Sequence, residues 1–135
     1  MSNSVIRAEL DSKLKAWADA QIPKVPVAYE GFPFTKPTDG VFVESFLIPA
    51  ITMDSDVSGD SKRYLGIYQI NCWARSGRGM KQVETLAQNI INLFPMLPKT
   101  GSVSIESTPY AEKYVLDQSG WVILPVTIQY RYEAS

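Results

Sequence analysis

Apolar and polar positions alternate most clearly in Tyr64-Leu65-Gly66-Ile67-Tyr68-Gln69-Ile70-Asn71-Cys72-Trp73-Ala74, which predicts a strand rich in aromatic and β-branched residues. Tyr68, Ile70, Cys72 and Ala74 fall on one face, and Ile67, Gln69, Asn71 and Trp73 on the other. An apolar face backed by a mixed one suits a central strand covered on one side. After the turn Arg75-Ser76-Gly77-Arg78-Gly79 the period changes. Met80, Val83, Ala87, Ile90 and Phe94 recur every three or four residues, Leu86 and Ile91 widen the stripe, and Pro95 and Pro98 end it. That is an amphipathic helix. A long strand handing over to a helix that lies back across it is the nucleus of a two-layer α/β arrangement.

The remaining elements fit around this pair. Ile6, Leu10, Leu14 and Trp17 form a helical stripe over residues 4–20, with Arg7, Glu9, Lys13 and Lys15 mostly on the other side and Asn3 or Ser4 as the cap. Pro23 stops that helix. Val25, Val27 and Tyr29 alternate in a short strand that Pro26 marks as an edge. Residues 31–40 are a turn-rich loop whose Phe32 and Phe34 either pack back on the protein, the commoner case, or await a partner. Residues 41–48 read as a strand with Val41, Val43 and Leu47 on one face and Phe42, Phe46 and Ile48 on the other. Two apolar faces predict cover from outside the chain, a first sign of assembly. Residues 52–63 read as a long polar loop, Val103 and Ile105 as a short strand, and residues 110–116 as another. Residues 121–132 form the closing strand, with Val122, Leu124, Val126, Ile128 and Tyr130 on one face and a bulge or edge position at Pro125.

Composition narrows the function. A length of 135 residues is that of one domain, burying roughly two-thirds of its unfolded surface. Thirteen basic against fourteen acidic residues leave a net charge of −1, which argues against a general nucleic-acid binder. No apolar run spans a membrane, and the polar start of the chain is unlike a signal peptide. Cys72 stands alone, alternates with Ile70 and Ala74, and reads as a buried structural thiol. There is no histidine, which removes His-based triads, the common zinc sites and the usual general base. Glu84 and Glu106 are not spaced as an acid/base pair, so no catalytic constellation emerges.

Two charged stretches remain. Asp54-x-Asp56-x-Ser58-Gly59 copies the first half of an EF-hand loop, but Lys62 and Leu65 occupy positions nine and twelve, where ligands belong. A solvated acidic loop is the better reading. Arg75, Arg78 and Lys81 make a basic cluster at the strand-to-helix turn, which lacks both the P-loop and the dinucleotide spacing. Asp54, Asp56, Asp60, Arg75, Arg78 and Lys81 are therefore assembly-interface candidates, with the acids facing either a neighbour's basic cluster or another protein.

The order of elements, with the wording of Tyr68-Gln69-Ile70-Asn71-Cys72-Trp73-Ala74, of residues 86–95 and of Gly120-Trp121-Val122-Ile123-Leu124-Pro125-Val126-Thr127-Ile128-Gln129-Tyr130, resembles the tail-terminator proteins of long-tailed bacteriophages over residues 5–132. The resemblance implies an α+β fold, two helices packed on one face of a mainly antiparallel mixed sheet in the order α-β-β-β-α-β-β-β, as one domain over residues 1–135. It implies a ring, usually of six subunits, that caps the tail tube, stops its polymerisation and presents a surface for head attachment. The implied partners are copies of the chain, the tail tube protein and the head–tail connector, with no membrane, specific nucleic acid, cofactor or metal, and no enzyme activity. The implied location is the tail–head junction of the virion, after assembly in the bacterial cytoplasm. Other phage neck proteins share this size and fold and stand as the alternative, followed by a small-ligand-binding module at residues 77–81.

Overall fold

The structure is a computed structural model in which residues 2–38, 40–54, 62–77, 79–96 and 103–134 are described. The elements are α1 (Ser2–Ala20), β1 (Val27–Tyr29), β2 (Val41–Asp54), β3 (Lys62–Arg75), α2 (Lys81–Leu93), β4 (Ser104–Ile105), β5 (Tyr110–Ala111), β6 (Val115–Asp117) and β7 (Trp121–Ala134). β3 pairs antiparallel with β2 on one side and β7 on the other; β1 joins β2 in parallel at one edge, and β4, β5 and β6 take turns along the far side of β7. Both helices lie on one face of this mixed sheet, so the expected α+β fold stands.

The core is the face that the alternation marks. Tyr68, Ile70, Cys72 and Ala74 of β3 are buried with Val122, Leu124, Val126, Ile128 and Tyr130 of β7 beneath the helices. Burial pushes the Cys72 thiol up to about 12, so it stays protonated and unreactive. α2 sends in Val83, Leu86, Ala87 and Ile90. α1 sends in Ile6, Leu10 and Leu14, a row of i+4 steps that buried Ala18 continues and that leaves Trp17 partly buried on its flank. Because α1 begins at Ser2, Asn3 and Ser4 lie inside its first turn rather than capping it.

Three expectations need correction. The polar loop of residues 52–63 is shorter, since Thr52, Met53 and Asp54 pair with Tyr64, Arg63 and Lys62 after a bulge that sets residues 50–51 against Leu65. β7 runs alongside, with Arg63 bridged to Glu133 at 2.9 Å and the Tyr64 and Tyr132 rings 6.3 Å apart, so cross-strand pairs extend strands that propensity alone would end. Pro125 does not interrupt β7 against β3, where the register is unbroken. Its missing N–H tells on the other flank. There residues 112–114 bulge opposite Leu124 and Pro125 and split the strand expected over 110–116 into β5 and β6. Phe42 is covered by this chain's own Phe34, Trp73 and Trp121, leaving only the Phe46–Ile48 end of that face open.

One polar joint fixes α1 and β1 to the sheet. The β1–β2 ladder ends at Tyr29 and Ser45, and the Glu30 carboxylate then accepts the Leu47 N–H at 3.0 Å and Arg7 at 2.7 Å. Arg7, more than burial opposes it, holds Glu30 below the usual carboxylate range. A depressed acid stabilises the fold above its unfolded pKa, and that contribution fades as pH falls through the folded value. Glu30→Ala is expected to cost about 1–2 kcal/mol near neutrality, mostly from the unmet Leu47 N–H, since an exposed ion pair adds little. Urea unfolding of both proteins from pH 7 to pH 3 checks this: the gap should narrow in acid, and a constant gap would show the carboxylate charge is immaterial.

Candidate assembly surface

On the face away from the helices the sheet carries a second, smaller core at the Arg75 end. Phe42 stacks on Trp73 with centroids 5.0 Å apart, Trp121 meets Phe42 edge-on at 5.1 Å, and Phe34 leans in at 5.3 Å. Two cations close it. Lys36 sits 4.3 Å above Trp73, and Arg75 sits 4.2 Å above Trp121 while donating to Thr38 O at 2.6 Å. Arg75 thus ties the 31–38 segment to the sheet within its own chain. Trp73 and Trp121 sharing one face with Arg75 is the sequence signal that could have shown this.

Further along, the same face is polar and internally paired. Glu44 accepts Trp73 Nε1–H at 2.6 Å and Asn71 Nδ2–H at 3.4 Å, and Gln69 donates to Asn71 at 2.9 Å. Thr127 donates to Glu112 at 2.7 Å, and Arg131 pairs with Glu106 at 3.2 Å. These carboxylates act as cross-strand acceptors and none pairs with a second acid. Among the described residues no group of three or more acids or cysteines is placed to hold a metal ion.

The charged candidates separate along the sheet. Asp54 closes β2 opposite Lys62. Arg75 ends β3 at its other extremity, and exposed Lys81 opens α2 beyond it. Asp56, Asp60 and Arg78 lie outside the described residues. Fourteen residues of β3 at about 3.3 Å each put the acidic and basic ends roughly 45 Å apart. Gly77 and Gly79, both at positive φ, make the tight turn into α2, and no side chain caps that helix.

Sequence reasoning missed the edges. Every residue of 110–116 is exposed, and four are large and apolar: Tyr110, Tyr114, Val115 and Leu116, the last 64% exposed. This segment borders a groove of about 360 Å³ against α2. Just past β1, at the opposite edge, stands Phe32, 73% exposed, and Ile22, 99% exposed, stands between the end of α1 and α2. Apolar surface on both edges of one sheet marks contact with other proteins.

The model of the family described as phage tail terminator protein matches residues 5–130. The chain belongs to the phage tail terminator family. Its place is therefore among the structural proteins of phage tail assembly and the virion, where contacts between proteins are the function, and the paired carboxylates above fit that role. One solved structure is 29% identical, with 97% of this chain and 95% of that chain covered and a TM-score of 0.78. No curated protein matches. Among the described residues of this tail terminator family member, no helix is long and apolar enough to cross a membrane.

Proposed function

We propose that this protein caps the completed tail tube as a ring of its own copies, six in number, stops further addition of tube protein and offers the head connector its docking surface. Its partners are then itself, the tail tube protein and the head–tail connector, at the tail–head junction of a virion assembled in the host cytoplasm. The observation that carries this reading is the three-stranded ribbon of β2, β3 and β7. Each strand is 14 residues long, whereas α2 has 13 residues and spans about 20 Å, so the ribbon outreaches α2. A ribbon of that reach, joined at its end by the segment holding Asp56 and Asp60, suits a projection toward a partner ring.

The acidic segment 54–60 meets a basic surface in this reading, either Arg75, Arg78 and Lys81 of a neighbouring copy or the last ring of the tube. Since Arg75 is already engaged with Thr38 and Trp121, Lys81 and Arg78 carry the first option. Replacing Asp54, Asp56 and Asp60 together by Ser should leave circular dichroism and the melting curve nearly unchanged, because Asp54 is only the last residue of β2 and the connection from it to β3 contributes little to the fold. Cells infected with phage carrying the variant should accumulate overlong tails that fail to join heads. Normal tail length with normal phage yield would rule this role out.

A further inference from the structure

We propose that the cleft between α1 and β1 is a docking site for an ammonium group, and that its occupant is Lys113 of a second copy. This rests on the ring reading above. The cleft, of about 220 Å³, is lined by Asp11, Ser12 and Lys15 of α1 and by Tyr29 and Phe32. Asp11 Oδ1 accepts the Tyr68 hydroxyl, and among the described residues this carboxylate has no ion pair. The cations one turn to either side of it on α1 are engaged elsewhere, Arg7 with Glu30 at 2.7 Å and Lys15 with Asp19 at 2.6 Å. Burial raises Asp11 above the usual carboxylate range by more than the Tyr68 bond and Arg7 lower it. A half-buried carboxylate without a countercharge, with two aromatic rings beside it, suits an incoming cation.

Lys113 supplies that cation from the other edge of the sheet. It is exposed, it stands in the bulge between β5 and β6, and it has no ion pair among the described residues. Lys24 and Lys81 are exposed too, but one follows α1 and the other opens α2, away from both sheet edges. Cleft and lysine stand at the same level of the molecule. α1 covers β1 and β2, whereas α2 covers β3, β7 and β5, so each helix flanks one edge. The Asp11 cleft thus opens between helix layer and sheet at the β1 edge, and the groove that Lys113 lines opens between them at the other.

Copies set side by side, sheet edge to sheet edge, bring the two together. Their charges complement each other: Asp11 with Lys15 in the cleft, Lys113 with Glu84 and Glu112 in the groove. Exposed Phe32 on one edge meets Tyr110 and Tyr114 on the other. The two patches differ, so the contact runs head to tail, and it closes into a ring when the rotation allows.

The test uses the full chain. Lys113→Glu should keep the wild-type melting temperature, since the side chain is solvated, and weaken ring formation about 30-fold by light scattering and negative-stain microscopy. Asp11→Asn should weaken it as well while melting close to the wild type, because its amide oxygen still accepts the Tyr68 hydroxyl. Asp11→Lys combined with Lys113→Glu should regain most of the loss. Carbodiimide treatment of wild-type rings should couple Asp11 to Lys113, which opposite edges keep apart within one copy, and mass spectrometry of the digest reads that link whether or not the swapped chain folds. Lys113→Glu rings of wild-type affinity, or rings without the Asp11–Lys113 link, would overturn the contact and leave the ring reading standing. A loss that the swap leaves unrepaired in a folded chain would overturn it too. A wild-type chain that neither forms rings at any concentration nor binds purified tail tubes would remove the ring reading and this contact with it.

Discussion

Gly66→Ala should destabilise the protein by about 1–3 kcal/mol, the range for forcing atoms into a filled site, with a drop of several degrees in melting temperature. Gly66 lies in the middle of the ribbon, opposite Tyr130. A Cβ there would come within 2.5 Å of the Tyr130 hydroxyl, 2.6 Å of the Ile48 carbonyl oxygen and 2.7 Å of the Tyr130 ring. The first of these atoms is dispensable. Tyr130 is buried, and its hydroxyl has no hydrogen-bond partner, so Tyr130→Phe should be neutral or slightly stabilising. The Ile48 oxygen is not dispensable, because it is backbone next to the β2 bulge. In Gly66→Ala/Tyr130→Phe, therefore, only part of the loss should return. Urea unfolding of the four proteins measures the coupling. Full recovery in the double variant would mean that the hydroxyl alone sets the limit, and no loss in Gly66→Ala would mean that the strands separate there more easily than their pairing implies.

Gly66 shows which parts of this molecule the sequence makes legible. A glycine in a strand signals a close approach, yet nothing local says that the atom approaching belongs to Tyr130, 64 residues away. The helices and the buried face of β3 are readable because their periods repeat over whole elements, and period is decided by one chain segment alone. Strand ends are different. Thr52, Met53 and Asp54 look like loop, and only pairing with β3 makes them strand. Pro125 looks like a break in its own strand, but the break appears in the neighbour that would have received its N–H. The candidate surface divides in the same way. A run of acids is visible to the eye, whereas Tyr114 and Leu116 alternate like any strand and become a surface only because no element packs over them. Arg75 looked free because its partners, a backbone carbonyl at Thr38 and a ring at Trp121, leave no charge pattern in the sequence.

Ile90→Ala is expected to cost about 2–5 kcal/mol, near the upper end because the site cannot collapse easily. Ile90 is fully buried at the centre of the α2 stripe, between helix and sheet. Its surroundings are held by elements that cannot follow it inward: β3 and β7 are paired along all 14 residues, and Phe94 is pinned against Tyr68 at 5.9 Å. Tyr68 is in turn fixed by its hydroxyl, which donates to Asp11 of α1. A cavity at Ile90 thus keeps most of its volume and loses the dispersion contacts of its lining. Ile90→Val should cost only about 0.5–1.5 kcal/mol, and Asn89→Ala, one residue away on the exposed side, about nothing. That ordering separates burial from helix propensity, which would favour alanine at every one of these positions. Denaturant midpoints for the three variants decide the point: equal losses at Ile90 and Asn89, or no loss at Ile90, would mean that α2 turns a different face to the sheet. Assembly supplies a second reading of the same number. If the folded chain alone enters a ring, mass action adds stability at high concentration, so Ile90→Ala should unfold readily when dilute and be partly rescued when concentrated or when tail tubes are present.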